Sequence, residues 1–406
     1  MKNTEKSILR GIYLVIIILC AILAFIGKAM DLGPLILGSS SCILIAYCHF
    51  IINRFFPGGD KYLLIIAAFI AQFGLIMIYR LNPNLAIKQI LWFTVGMGLF
   101  IFLVIILPEI SKFEKYKYLY IIIAILLLAS TLFVGSEIKG SKNWILVNGM
   151  SLQPSELAKF FVILFLAAAI QNIESFRDLL KVAIPVFVAI SLLVIEKDLG
   201  SALIFFGIFI TMLYIGTSNL KFMLAGLISF ITGTILSYFM FAHVRVRFEI
   251  WLDPFKYKTG IGNQLCQSLF AIASGGLFGT GLGLGMPYYI PLAHSDFIFA
   301  AICEEFGILG ALALIIMYLI LVYRGLQVAI FAKDDYSRLV AVGITSMIAF
   351  QVFVIIGGVT KMIPLTGITL PFVSYGGSSM VLNFICLGVL QKISEGGGGK
   401  NEGYEG

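Results

Sequence analysis
Residues 291–310 read Pro-Leu-Ala-His-Ser-Asp-Phe-Ile-Phe-Ala-Ala-Ile-Cys-Glu-Glu-Phe-Gly-Ile-Leu-Gly, and within them a long polar loop turns into an apolar helix. Asp296 sits at the junction, and Glu304 and Glu305 follow about two turns further in. The run from 296 to 323 is long enough to cross a bilayer, whose core of roughly 30 Å needs about 20 residues of helix. Carboxylates at the mouth of such a helix are costly to keep, which marks them as candidates for function with partners to be found. The plainer reading of Asp296 is a helix cap, since aspartate is favoured at N-termini and by the helix dipole.

Outward from this point the chain repeats the same kind of span. Twelve can be drawn, at 9–28, 32–53, 61–80, 88–107, 117–134, 155–171, 181–195, 199–216, 221–241, 296–323, 338–357 and 374–394. Of the 406 residues, 60% are hydrophobic and only 12% charged, and the mean hydropathy is +1.03. The fold class is therefore all-α and polytopic in a membrane, with about twelve transmembrane helices and one long extracellular loop. Met1 to Arg10 is basic, but the apolar run behind it is too long for a signal peptide and lacks a small-residue cleavage site. The six cysteines show no metal or redox spacing and read as small core residues. The net charge of +7 suits loops facing anionic membrane lipid. No basic run suits nucleic acid. The stretch from Ser394 to Gly406 reads as a disordered, Gly-rich tail.

With both termini inside, sixteen Lys and Arg fall on inner segments and eleven on outer ones, four of the eleven in one long loop. This agrees with the positive-inside rule. It also puts the unusual polar chemistry on the outer face, in residues 135–154, 196–200, 242–295 and 358–373. In the longest of these, Arg245 and Arg247 precede a glycine-rich run from Gly275 to Gly285. Such a run can bring backbone close to a ligand, pack against a helix, or re-enter the membrane. The arginines can fork onto phosphate or anchor their own helix at the interface. Glu156 and Lys159 are three apart near the start of a span and can pair. Glu196, Lys197 and Asp198 form a second cluster, and Lys361 adds a cation in the last outer loop. Together these suit an anionic phosphate ligand and a general base.

Read together, the segments resemble the SEDS family (shape, elongation, division and sporulation), the peptidoglycan polymerases of the RodA/FtsW/SpoVE type. The resemblance rests on Asn143-Trp144, on Gln153-Pro154-Ser155-Glu156-Leu157-Ala158-Lys159 and on Lys197-Asp198-Leu199-Gly200-Ser201. It continues through Arg247, Leu252-Asp253-Pro254, Gln267-Ser268 and Ala273-Ser274-Gly275-Gly276. Its strongest parts are His294-Ser295-Asp296-Phe297-Ile298-Phe299 with Glu304-Glu305-Phe306-Gly307, and the run from Gly358-Val359-Thr360-Lys361 to Ser378-Ser379. It covers residues 58–395 as one SEDS core. It leaves two extra N-terminal helices, within 1–57, and a tail at 396–406.

The resemblance implies a glycosyltransferase that polymerises lipid II, with Asp296 as the base for the acceptor hydroxyl. Arg245 or Arg247, Lys361 and Lys197 would meet the leaving pyrophosphate. Asp198, Trp144, His294 and Ser295, with the buried pair Glu156 and Lys159, would line the substrate cavity. A divalent cation, magnesium or manganese, is a possible cofactor, with Glu304 and Glu305 as weak ligand candidates. The expected partner is a class B penicillin-binding protein. The alternatives are a lipid II flippase, which should carry polar sites on both faces, and a scaffold for division proteins, in which Asp296 would be replaceable.

Overall fold
The computed structural model describes residues 2–26, 30–138, 141–147, 150–171 and 173–397. These residues form fourteen α-helices and three short strands. In chain order they are α1 (Lys2–Phe25), α2 (Gly33–Phe55), α3 (Lys61–Leu81), α4 (Pro83–Ile106) and α5 (Lys117–Val134), then β1 (Ser136–Ile138), β2 (Ser141–Val147) and β3 (Met150–Leu152). There follow α6 (Pro154–Ile170), α7 (Phe176–Ile195), α8 (Leu199–Thr217), α9 (Leu220–Met240), α10 (Ala242–Leu252), α11 (Asn263–Gly275), α12 (Ile298–Ile330), α13 (Asp335–Val359) and α14 (Gly377–Gly397).

The boundaries follow from capping chemistry. Asp60, Asn82, Ser175, Asp198, Asn219 and Asp334 each accept a backbone N–H from the first turn of α3, α4, α7, α8, α9 and α13. Asn82 also ends α3, and Pro83 then opens α4 at the position where a missing N–H costs nothing. Between the caps the runs are apolar, and small residues let helices touch. Gly96 of α4 meets Phe384 of α14, and Gly207 of α8 meets Phe350 of α13. The most buried helices, α3, α6, α8, α13 and α14, form the centre, whereas α9 has most of its surface exposed.

Among the described residues, eleven helices are long and apolar enough to cross a membrane. The chain is thus a multi-pass membrane protein. The span expected at 155–171 is α6, of 17 residues. At 1.5 Å per residue it reaches about 25 Å, short of a roughly 30 Å core. It falls just below the length counted above and is buried along its run, with Leu166 and Ala167 fully covered.

Three segments differ from the sequence reading. Residues 135–154 carry a small antiparallel sheet of order β1-β2-β3. Its signal was present, because Asn148-Gly149 separates two short apolar runs and is the dipeptide most favoured in hairpins. Residues 242–295 are not one open loop but contain α10 and α11. Finally, α14 runs on through Gly397, so the helix takes in residues 394–397 of the stretch expected to be disordered; from 398 the chain lies outside the described residues. Gly397 packs against the carbonyl of Phe331, and Ser394 accepts from the N–H of Asp60.

The two N-terminal helices pack on α3. Ser41 Oγ donates to Gln72 Oε1 at 2.6 Å, and Tyr79 donates to Asp31 at 2.6 Å. Glu5 lies 3.8 Å from Lys61 and 3.9 Å from His49.

The centre is tied to the loop between α13 and α14 at Gly74 of α3, where an added Cβ would fall 2.5 Å from the backbone of Val373. Gly74→Ala should therefore cost about 1–3 kcal/mol by overpacking. The expected result is a lower midpoint in detergent thermal melts, while Gly98→Ala, which meets open space, leaves the midpoint unchanged.

Candidate active site
Asp296 lies half-buried in the turn that leads into α12. The residue flanking that helix is Phe297, which makes no side-chain cap, so Asp296 stands one place outside the capping position. The turn itself is held by the loop before α14. Tyr375 N–H donates to the carbonyl of His294 at 2.8 Å, and Ser374 Oγ donates to that of Ser295 at 2.6 Å. The rings of His294 and Tyr375 meet edge to face at 5.9 Å. Gln89 of α4 fixes the other side, donating to the carbonyl of Ser374 and accepting from the N–H of Gly376.

Arg247 reaches the same place from α10. Its Nη1 donates to the carbonyls of Leu365, at 3.2 Å, and Thr366, at 2.9 Å. The next residue, Gly367, has φ +71°, and a Cβ there would lie 3.7 Å from Asp296 Oδ2. Asp296 and Arg247 therefore flank one turn, Thr366-Gly367, whose left-handed glycine leaves room for the carboxylate. Burial lowers the Arg247 pKa from its ordinary value, while the negative charges of Asp198 and Asp296 oppose that shift. One turn along α10, Trp251 Nε1 donates to the carbonyl of Lys361. This ties the backbone of Lys361 to α10 one turn from Arg247.

Lys361 and Lys197 both adopt left-handed backbone, at φ 62° and 64°, which is uncommon for a residue with a side chain. Lys197 pairs loosely with Glu137 at 3.8 Å, and both are exposed, so the pair adds little stability. Arg245 does not join the group. It stacks over Tyr238 and donates to the carbonyl of Phe239.

Asp198 is buried and accepts from five donors, namely Asn143 Nδ2, Gln153 Nε2, Ser155 Oγ and the N–H and hydroxyl of Ser201. It is the joint between the small sheet, α6 and α8. Trp144, next to Asn143 on β2, is half-buried. Glu156 and Lys159 form a buried ion pair at 2.8 Å in the first two turns of α6.

Glu304 and Glu305 lie away from this group. Glu304 accepts from Met286 N–H, and Glu305 accepts from Arg80 Nε and Gly283 N–H. Among the described residues no three His, Cys, Asp or Glu are grouped to hold a metal ion. The Glu304–Glu305 pair is taken up by the loop before α12 except for Glu304 Oε2, which is buried without a partner among the described residues, and one such oxygen is too few donors for a divalent-ion site.

From Arg247 and Thr366 an apolar cavity of about 460 Å³ runs down between α7, α8, α9 and α13, lined by Phe187, Leu203, Phe230 and Phe353. Sequence reasoning passed over one element here, the carbonyl pair at Leu365 and Thr366, which only the glycine that follows could have signalled.

The chain matches the cell cycle protein family of FtsW, RodA and SpoVE over residues 60–397. It is 37% identical to the peptidoglycan glycosyltransferase RodA of Mycobacterium tuberculosis, covering 88% of this chain and 83% of that one. It is 37% identical to the stage V sporulation protein E of Bacillus subtilis, covering 82% of this chain and 96% of that one. Its structure matches a chain of a peptidoglycan synthase complex that coordinates polymerization and crosslinking, with a TM-score of 0.73 and 27% identity. That match covers 86% of this chain and 99% of the other.

Glu196 gives a test of the site's electrostatics. Its side chain is buried. Burial, with Asp198 adding to it and the hydroxyl of Thr131 only partly offsetting it, pushes its pKa up from 4.5 to about 8. The folded state then holds a proton that the unfolded state releases, so its contribution is full below about pH 4.5 and is lost as pH rises to about 8. Glu196→Gln should flatten the fall in melting temperature across this range, with the largest gain over wild type near pH 8. Parallel pH profiles of the two proteins would be wrong for this account.

Proposed function
Since the chain belongs to the FtsW, RodA and SpoVE family of cell cycle proteins, we propose that it is a peptidoglycan glycosyltransferase. It joins lipid II units into glycan strands at the outer face of the cytoplasmic membrane. The observation that carries this reading is the convergence of Asp296 and Arg247 on the Thr366-Gly367 turn, at the mouth of an apolar cavity.

The chemistry has three needs. The acceptor's sugar hydroxyl must lose a proton as it attacks the anomeric carbon of the donor. Asp296 is the base, held by the strapped turn before α12. The leaving group is undecaprenyl pyrophosphate, and its growing negative charge requires fixed cations. Arg247 supplies a planar fork suited to phosphate oxygens, and Lys361 and Lys197 add charge from the two neighbouring loops. The polyprenyl chain needs an apolar channel, which the cavity beside Arg247 offers. Asp198 and the Glu156–Lys159 pair hold α6, α8 and the small sheet in register beside the cavity and do not line it. No step is routed through a metal ion, because the donor set does not fit one.

The partner is a class B penicillin-binding protein, a reading supported by the likeness to a synthase complex that couples polymerization to crosslinking. Polar clusters gathered at one end of the bundle favour polymerisation over translocation of the same lipid.

Purified protein with its co-purified partner and lipid II should yield glycan polymer on a gel. Loss of the base should lower the rate by about 10²- to 10⁴-fold in Asp296→Ala, with unchanged elution. Arg247→Lys, which keeps the charge but not the fork, should also fall well below wild type. Equal polymer from wild type and Asp296→Ala would remove Asp296 as the base. No polymer from the wild-type complex, with lipid II crossing liposome membranes instead, would favour the flippase.

A further inference from the structure
The glycine-rich run before Asp296 has no role in the chemistry above, yet it is built with care. Its tip exposes Leu277, Phe278, Leu284, Met286, Tyr288 and Tyr289, with Phe278 79% and Leu284 69% exposed. In water such a contiguous apolar patch would be unusual for an unpartnered surface. Its depth accounts for it. Leu309 N–H of α12 donates to the carbonyl of Leu277, and Ile308 N–H to that of Gly276. At the other end of the bundle, Arg324 of α12 pairs with Asp60 at 2.7 Å. Leu309 and Arg324 are fifteen residues apart, or about 22 Å of helix. A hydrocarbon core spans roughly 30 Å, so the level of Leu309 and Leu277 falls inside it. The patch also continues directly into the exposed stripe of α12 formed by Ile308, Leu309, Leu312 and Ile316. Gly283 abuts Ile26, just past the end of α1.

Non-helical backbone at membrane depth survives only where its polar groups are satisfied within the protein. Here they are. The N–H groups of Gly279, Thr280 and Gly281 donate to the carbonyls of Gly275, Glu304 and Glu305. Those of Gly283 and Met286 donate to the carboxylates of Glu305 and Glu304. The carbonyls of Gly283 and Gly285 accept from Arg80. The kink at Gly307, with φ +67°, opens α12 at this point, where a Cβ would fall 2.3 Å from the N of Gly279. The two carboxylates thus serve an irregular segment that lacks water.

We propose that residues 275–289 form a lipid-embedded wedge, docked on α12 through Glu304, Glu305 and Arg80, whose apolar tip contacts the acyl chains of the leaflet on the Asp296 side. The occupant of this surface is lipid, because the patch is continuous with the lipid-facing stripe of a spanning helix and lies at its depth. This proposal stands apart from the glycosyltransferase reading and can fail or hold without it.

The test uses the full chain, alone, in lipid nanodiscs, where both faces are open to reagent. Phe278→Cys is labelled with a charged, water-soluble maleimide, beside Lys258→Cys on the exposed loop and Ile308→Cys on α12. Wild type, whose six cysteines are buried or half-buried, is the blank. The expected result is labelling of Phe278→Cys slowed on the order of ten-fold or more relative to Lys258→Cys, matching Ile308→Cys, since a maleimide needs a water-exposed thiolate. An environment-sensitive dye on the same cysteine should then be quenched by nitroxide-labelled acyl chains. Labelling as fast as at Lys258→Cys would overturn the proposal. So would protection that arises only when a penicillin-binding protein is added or when two copies share a disc, since the face would then belong to a protein. A second variant, Arg80→Ala, removes the donor to Gly283 and Gly285. It should raise labelling at position 278 several-fold in protein that still elutes as wild type.

Discussion
The hydrogen bonds from Arg247 to the carbonyls of Leu365 and Thr366 hold together parts of the chain that are far apart in sequence. Arg247 belongs to α10, the carbonyls belong to the loop between α13 and α14, and Asp296 stands against the next residue of that loop. If this fork were lost, the loop would have no hold on α10 except Trp251 to Lys361. Asp296 would then face a turn of undefined position. A carbonyl carries only a partial charge, so this arrangement fixes the arginine in space without neutralising it.

The same constraint, that polar groups in an apolar surround must find partners, explains most of the buried charge. Asp198 has five donors and doubles as the cap of α8. Lys159 has Glu156, and Glu305 has Arg80. Such pairs are weak evidence of net stability, because desolvation takes back much of the Coulomb gain. Their effect is to set register. Asp198 allows one placement of the small sheet against α6 and α8, and Arg80 allows one placement of the loop against α12. Glu196 departs from this pattern, with the hydroxyl of Thr131 only partly offsetting its burial, which is why its proton carries the burden.

Much of this was legible in the sequence. Runs of apolar residues give the spans directly, and the polar residues between them are the caps that end those spans. Asp296, Arg247, Lys361 and Asp198 stand out as charged residues next to apolar helices, and the fold does gather them at one end. What was not legible has physical reasons. Span counting reads length and hydropathy, so it cannot tell how deeply α6, a helix of 17 residues with most of its side chains buried, is covered by its neighbours. The choice between Arg245 and Arg247 depends on which face of α10 meets the loop, and two residues apart on a helix point to different sides. The carboxylates at 304 and 305 invited a metal reading because sequence shows donors and not the backbone N–H groups that claim them. The sheet of residues 136–152 was passed over because its strands are too short to show a clear period.

Donor arithmetic shows why Arg247, and not a lysine, suits its place. A guanidinium has five N–H donors in a rigid plane. Two hydrogen bonds go to Leu365 and Thr366, and a third, long at 3.5 Å, goes to the carbonyl of Lys197. Those contacts orient the plane and leave donors at its other edge. Lysine has three donors on a flexible stem and no plane to orient. Were it bound to the same carbonyls, few donors would remain for a phosphate oxygen, and nothing would aim them. The two nearby lysines are placed differently. Lys197 and Lys361 adopt left-handed backbone at φ 64° and 62°, and their ammonium groups sit on flexible stems, that of Lys197 3.8 Å from Glu137. Arg247 is thus the cation at the Thr366-Gly367 turn that is held by carbonyls, a mode of positioning that leaves its charge available to an anion.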